Sequence, residues 1–189
     1  NNDEMFLARR VFNKSTDRGG RYYAAWSNMP QVERMKMKID GDVVAQVDIS
    51  ACFLTLLQAL TGITAYEVGD EFEDPYFPKR LDNRKSEIDR NKLKEFITAW
   101  IGGGNAKRWQ AGEQLAHFKT DEDFKGFRDL VLPYFPELKL VNKQTMCGMT
   151  LQKHESAIIT NTMHDLRTVS NIVAYPMHDC LICKEKDVD

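Results

Sequence analysis

Two aspartates set at the rims of short apolar runs restrict this chain more than any other feature. Val43, Val44, Ala45, Gln46 and Val47 form a β-branched run that follows an Asp40-Gly41-Asp42 turn and leads directly into Asp48. That pattern predicts a buried strand over 43–47 with a carboxylate at its end. Near the other end of the sequence, 171–177 and 181–183 read as two strands around a tight turn at His178-Asp179. Helical patterns fill the space between. Leu54, Leu56, Leu57 and Leu60 recur at helical spacing up to Gly62. A second helix is predicted over 87–101, with Leu93, Phe96, Ile97 and Trp100 on one face and Gly102-Gly103-Gly104 as its stop. Others are predicted over 106–118, over 121–132 behind a Thr120 or Asp121 cap, and over 148–168 with a stripe of Leu151, Ile158, Ile159, Met163 and Leu166. Residues 18–30 read as strand and loop, and 63–85 as an acidic, proline-containing connection. The combination predicts an α+β fold with a small antiparallel sheet packed by helices.

Composition narrows the class without choosing a function. The chain has 189 residues, 42% apolar and 29% charged, which suits one soluble domain with a real core. No apolar run approaches the roughly 20 residues of a membrane span. The sequence opens on Asn1-Asn2-Asp3-Glu4, without Met and without a signal peptide, and reads as a fragment or trimmed chain. Cys52, Cys147, Cys180 and Cys183 are too few for a disulfide scaffold and fit reduced thiols in a cytoplasmic protein. A formal net charge of −2 argues against wholesale coating of nucleic acid. The charges are nevertheless segregated. Residues 9–38 hold Arg9, Arg10, Lys14, Arg18, Arg21, Arg34, Lys36 and Lys38 against Asp17 and Glu33, a distribution able to form a basic cleft on a neutral protein.

Each aspartate, taken alone, is an ordinary turn or cap residue. Brought together at a sheet rim, Asp48 and Asp179 would offer hard oxygen ligands to divalent cations. A pair of Mg²⁺ ions about 4 Å apart serves phosphoryl transfer, one activating the attacking oxygen and the other stabilising the leaving group. Cys180-Leu181-Ile182-Cys183 invites a zinc reading, but two cysteines three apart on a strand point to opposite faces.

Several stretches resemble family A DNA polymerases. Gly20-Arg21-Tyr22 is similar to that family's T-G-R-L element, and Ser27-Asn28-Met29-Pro30 to its L-Q-N-I-P. The basic run through Arg34 is similar to R-x-I-R, and Val47-Asp48-Ile49-Ser50 to the motif A core D-Y-S. Arg90-Asn91-Lys92-Leu93-Lys94 resembles the R-x-x-x-K of motif B, whose following Tyr-Gly is Gly102-Gly103 here. Met177-His178-Asp179-Cys180 resembles motif C, H-D-E in these DNA polymerases and H-D-S in the related single-subunit RNA polymerases.

The resemblance implies a compact, divergent polymerase core, with palm segments over 19–62 and 137–189 and a reduced fingers-like helical insertion over 63–136. It implies Asp48 and Asp179 as ligands of two Mg²⁺ ions, replaceable by Mn²⁺, with the Ile49 carbonyl assisting. Arg90 and Lys94, one helical turn apart, would neutralise the triphosphate of an incoming dNTP beside Phe53 and Gly103, with Lys94 protonating the leaving pyrophosphate. Phe53 stands where the DNA polymerases carry a residue whose bulk excludes a ribose 2′-hydroxyl. Arg21, Gln152 and His178 would meet a primer-template. A bacterial, phage or plasmid replication system and an accessory protein partner are further expectations. Two rivals remain: a two-metal nuclease drawing a third carboxylate from Glu155 or Glu185, and a non-catalytic palm-like module that binds nucleic acid or a replication partner.

Overall fold

A computed structural model of the chain describes residues 8–63, 74–77, 79–103, 117–142 and 145–188. Within them the fold is α+β, with five α-helices and two antiparallel sheets of two and four strands. The chain divides into two compact units, residues 1–49 with 152–189, and residues 50–151. None of the described helices is long and apolar enough to cross a membrane.

The first unit opens with a ribbon that the sequence pattern only half announces. β1 (Arg9–Asn13) pairs antiparallel with β2 (Ser15–Tyr23), placing Arg9 opposite Tyr23 and Val11 opposite Arg21. Residues 9–13 are exposed throughout, so no alternation of apolar residues marks them as a strand. Gly20 lies at φ +91°, where an added Cβ would come within 2.7 Å of the Phe12 ring. The bare backbone there lets Phe12 and Arg10 fold across the bulge, and Arg10 Nε donates to the Gly20 carbonyl at 2.9 Å. A single helical turn, α1 (Gln31–Arg34), follows Pro30.

The main sheet runs in the order β3-β4-β6-β5, with β3 (Lys38–Ile39), β4 (Asp42–Asp48), β5 (Tyr175–Met177) and β6 (Cys180–Lys184). Asp40 and Gly41, both at positive φ, form the two-residue loop between β3 and β4, which suits an Asp-Gly pair. β5 is shorter than the expected 171–177 strand and takes the sheet edge. Pro176, which lacks an N–H, is compatible with that position. The expected strand over 43–47 is half-buried instead of buried. Val44 turns inward while Val43 and Val47 are exposed, although Leu181 and Cys183 on the same face of the neighbouring strand are buried, so that face is covered over β6 and open over β4. Trp26, Ile39, Val44 and Ile182 form the core under the inner face, with Met37, Val173, Tyr175 and Met177 around it. Each such burial contributes roughly 1.5–3 kcal/mol. The Trp26 indole N–H is satisfied by the Pro176 carbonyl at 2.9 Å.

The second unit is mainly helical. α2 (Cys52–Thr61) buries Leu54, Leu56, Leu57 and Gln58 and ends at Gly62 with φ +68°; Leu60, expected in the stripe, is exposed. Lys79–Glu87 forms a 3₁₀ stretch, so α3 (Arg90–Gly103) starts later than 87, with Asp89 accepting from the Lys92 N–H at 2.8 Å as its cap. The helix continues through Gly102 and Gly103. Phe96 packs against Trp100, Phe118, Phe124 and Phe127, with ring centroids 5.3–6.5 Å apart. α4 (Asp121–Val131) is capped by the Thr120 hydroxyl, which accepts from the Asp123 N–H at 3.0 Å. Most of the helix expected over 106–118 falls outside the described residues, and His117 and Phe118 are not helical. Residues 64–73 and 78 of the acidic connection also lie outside them.

α5 (Gly148–Val169) matches the expected helix; its first four residues group with the second unit and the rest with the first. Its buried face differs from the expected stripe. Leu151 and Ile159 are buried, Ile158 is exposed, and Glu155 and Ser156 are buried polar residues. The reason is the ribbon. Arg21 and the Gly20 carbonyl bond Glu155 and Ser156, and Tyr22 bonds Thr160 at 2.8 Å, so this helix face is shaped to polar partners.

Candidate active site

The β4–β6 pairing draws the two aspartates to one end of the sheet. Asp48 lies directly opposite Cys180, and the Ile49 N–H donates to the Asp179 carbonyl at 2.9 Å, continuing the ladder one step past the strand ends. Asp48 is exposed and Asp179 half-buried. The Cys180 thiol sits between their influences. It donates to the Met177 carbonyl at 3.0 Å, and burial pushes it up to about 12, reinforced by the adjacent carboxylates of Asp48 and Asp179. Cys180 is therefore a neutral thiol at ordinary pH.

His178 and Asp179 are the two residues of the β5–β6 turn. Only His178 has positive φ, +53°, a conformation that favours glycine. The His178 ring meets Tyr23 edge-on, with centroids 5.7 Å apart, and its buried Nδ1 has no hydrogen-bond partner among the described residues. Burial holds His178 below its ordinary value, helped by Arg21 and opposed by Asp179. The imidazole is neutral near pH 7.

Arg21 reaches the same end of the sheet but is already engaged. Its Nε and Nη2 each donate to one oxygen of Glu155 at 2.6 Å, a bidentate pair in which the Glu155 side chain is wholly inaccessible. Burial raises Glu155 above its ordinary value; Arg21 counters this and Asp179 adds to it. The resemblance implies a nucleic-acid contact for Arg21, and nothing in the sequence marks its pairing with Glu155. Gln152 lies one turn before Glu155 on the same helix.

A second polar chain runs behind Asp48. Val44, Gln46 and Asp48 share one face of β4, and Gln46 Nε2 donates to Asp48 Oδ1 at 2.9 Å. Gln46 Oε1 accepts from Arg34 Nη2 at 3.2 Å and from Nε at 3.4 Å, and Arg34 Nη1 donates to the Met29 carbonyl at 2.7 Å. Arg34 is only 6% exposed. In the sequence it ends the basic run that is similar to R-x-I-R, and nothing there shows that it is buried or bonded to Gln46.

The remaining expected residues belong to the second unit. Phe53 lies in the first turn of α2, its ring 3.7 Å from where a Cβ on Gly148 would stand. The same Cβ would stand 3.3 Å from the Gly102 Cα, so α5 begins close against the glycine end of α3 that includes Gly103. Arg90 opens α3, chelating the Asp74 carboxylate through Nε and Nη2 and lying over the Tyr76 ring, 5.4 Å from its centroid. Lys94 is exposed one turn later.

The donor set at the sheet end is compatible with Mg²⁺. Two carboxylates and a neighbouring backbone carbonyl are hard oxygen donors, and Mg²⁺ is commonly held by one or two carboxylates completed by substrate phosphates and water. Among the described residues, no group of three or more His, Cys, Asp or Glu gathers to hold a metal by itself. The family models, the curated proteins and the solved structures with which the chain was compared include no match to it.

Proposed function

We propose that this chain is a template-directed nucleotidyltransferase of the DNA polymerase type, with a palm-like sheet carrying Asp48 and Asp179. The observation that carries the reading is the convergence of these two residues, far apart in sequence, at one end of the β4–β6 pair. In this reading both aspartates and the Ile49 carbonyl hold Mg²⁺, which when bound supplies activation of the primer 3′-hydroxyl and stabilisation of the leaving pyrophosphate. Arg90 and Lys94 counter the triphosphate charge, and Lys94 gives its proton to the pyrophosphate. Phe53 favours deoxynucleotides by bulk. His178 is kept in a backbone conformation that glycine would adopt more easily, which favours a reason beyond folding for an imidazole at the turn. Arg21 and Gln152 approach the duplex backbone, with Arg21 oriented by Glu155. The exposed cations of the β1–β2 ribbon, Arg9, Arg10 and Lys14, suit a polyanionic partner.

The geometry weighs less for a nuclease. Glu155 is bound on both oxygens by Arg21, and Glu185 follows the far end of β6, about 15 Å of strand away from the turn. Extension of a labelled primer-template with dNTPs and Mg²⁺ tests the reading. The expected outcome is a lengthened primer, reduced by at least a thousandfold in Asp48→Ala and Asp179→Ala while circular dichroism stays unchanged. A shortened primer would establish the nuclease, and a mobility shift alone the binding module.

A further inference from the structure

Arg34 is a buried cation whose hydrogen bonds among the described residues go to a carbonyl and an amide, not to a carboxylate. A buried guanidinium is costly unless its N–H groups are bonded and an opposite charge lies near. The nearest carboxylate along its bonded chain is Asp48, one residue beyond, through Gln46. The amide can take only one orientation here. Its oxygen must face the Arg34 N–H groups, and its NH₂ must therefore face Asp48 Oδ1. A Gln held without Arg34 would be free to turn its oxygen toward the carboxylate and repel it.

We infer that Gln46, locked by Arg34, is a positioning residue that fixes the Asp48 carboxylate for cation binding. The inference rests on the assignment of Asp48 and Asp179 as cation ligands and adds to it the element that sets the orientation of one of them. Partners of this kind, which bond a ligand rather than the metal, typically cost 10–100-fold in metal affinity when removed. Gln46 is half-buried on a strand held in the sheet by backbone ladder bonds, so its side chain can be changed without removing the strand.

The test uses Mn²⁺ as the probe, with free Mn²⁺ followed by electron paramagnetic resonance, on the full chain held well below its unfolding midpoint. Wild type is expected to bind Mn²⁺, and Asp48→Asn and Asp179→Asn to abolish that binding. Gln46→Met, close in volume and without either hydrogen bond, is expected to weaken Mn²⁺ binding by at least tenfold. It is also expected to raise the metal concentration needed for half-maximal primer extension more than it lowers the rate at saturating metal. Gln46→Asn, too short to span Arg34 and Asp48 together, is expected to do the same and stands in should Gln46→Met fail to fold. A merely structural Gln46 would lower the unfolding temperature and leave Mn²⁺ affinity within twofold of wild type in both variants, which overturns the inference alone. Wild-type chain without aspartate-dependent Mn²⁺ binding overturns the cation assignment and the inference together.

Discussion

The Arg21–Glu155 pair shows how a single buried charge can tie stability to pH. Glu155 is inaccessible and bonded on both oxygens, so Arg21→Ala leaves a carboxylate buried with its partner gone. Breaking such a pair costs about 3–5 kcal/mol. The sign of the pH dependence follows from the direction of the shift. Glu155 is raised above its ordinary value near 4.5, so its folded form holds a proton more tightly than its unfolded form. Its protonation favours folding below the unfolded value, and that contribution is lost as pH rises through the folded one. Without Arg21 to oppose burial, the folded value climbs further. Urea unfolding of Arg21→Ala is therefore expected to show the full deficit at pH 8 and a smaller one at pH 5, where the buried carboxyl takes a proton. An equal deficit at both pH values would mean that the missing interaction is not that charge. None of this was legible in the sequence. Glu155 reads there as a helix carboxylate that a two-metal nuclease could draw on, and only the ribbon folding onto that helix makes it a buried anion paired with Arg21.

At the scale of elements, local chemistry was readable and long-range pairing was not. The Asp-Gly loop, the Thr120 cap, the α2 and α5 helices and the hairpin at His178-Asp179 each follow from residues within a few positions of one another. Of the β1–β2 ribbon only the end of β2 falls in the 18–30 stretch that reads as strand and loop; strand 9–13 escapes because it has no buried side, and the bulge depends on Gly20 at positive φ rather than on an apolar pattern. The meeting of Asp48 and Asp179 at one sheet rim is only a supposition in the sequence, and the register that sets Asp48 opposite Cys180 cannot be read there, since pairing between distant strands leaves no local mark. The ribbon carries its own expectation. Arg9→Ser with Lys14→Ser removes two exposed cations and leaves the Arg10 and Phe12 packing over Gly20 in place. Binding of duplex primer-template should weaken at all sequences alike. The slope of log affinity against log salt should fall by about 0.9 for each phosphate no longer neutralised. An unchanged slope would show that the ribbon does not meet the duplex.

At the scale of the whole molecule, the two units differ in how their sequence is laid out. Residues 50–151 are continuous, whereas the other unit joins 1–49 to 152–189. A chain of residues 50–151 is expected to fold alone, with a helical circular dichroism spectrum and cooperative thermal unfolding around the Phe96 cluster. Residues 1–49 alone are expected to stay unfolded, because β4 finds its central neighbour only in β6, and to gain structure when 152–189 is supplied. Strand signal in the isolated 1–49 peptide would contradict this. The same layout has a consequence for birth on the ribosome. Chains emerge at about 5–20 residues per second, so β4 waits roughly ten seconds with an unclaimed edge before β6 appears. The Asp48 and Asp179 carboxylates become neighbours only at that final step. The candidate centre is thus withheld from the nascent protein until nearly all of the described chain has been made, and a message cut short before the codon for Cys180 yields folded helices without it.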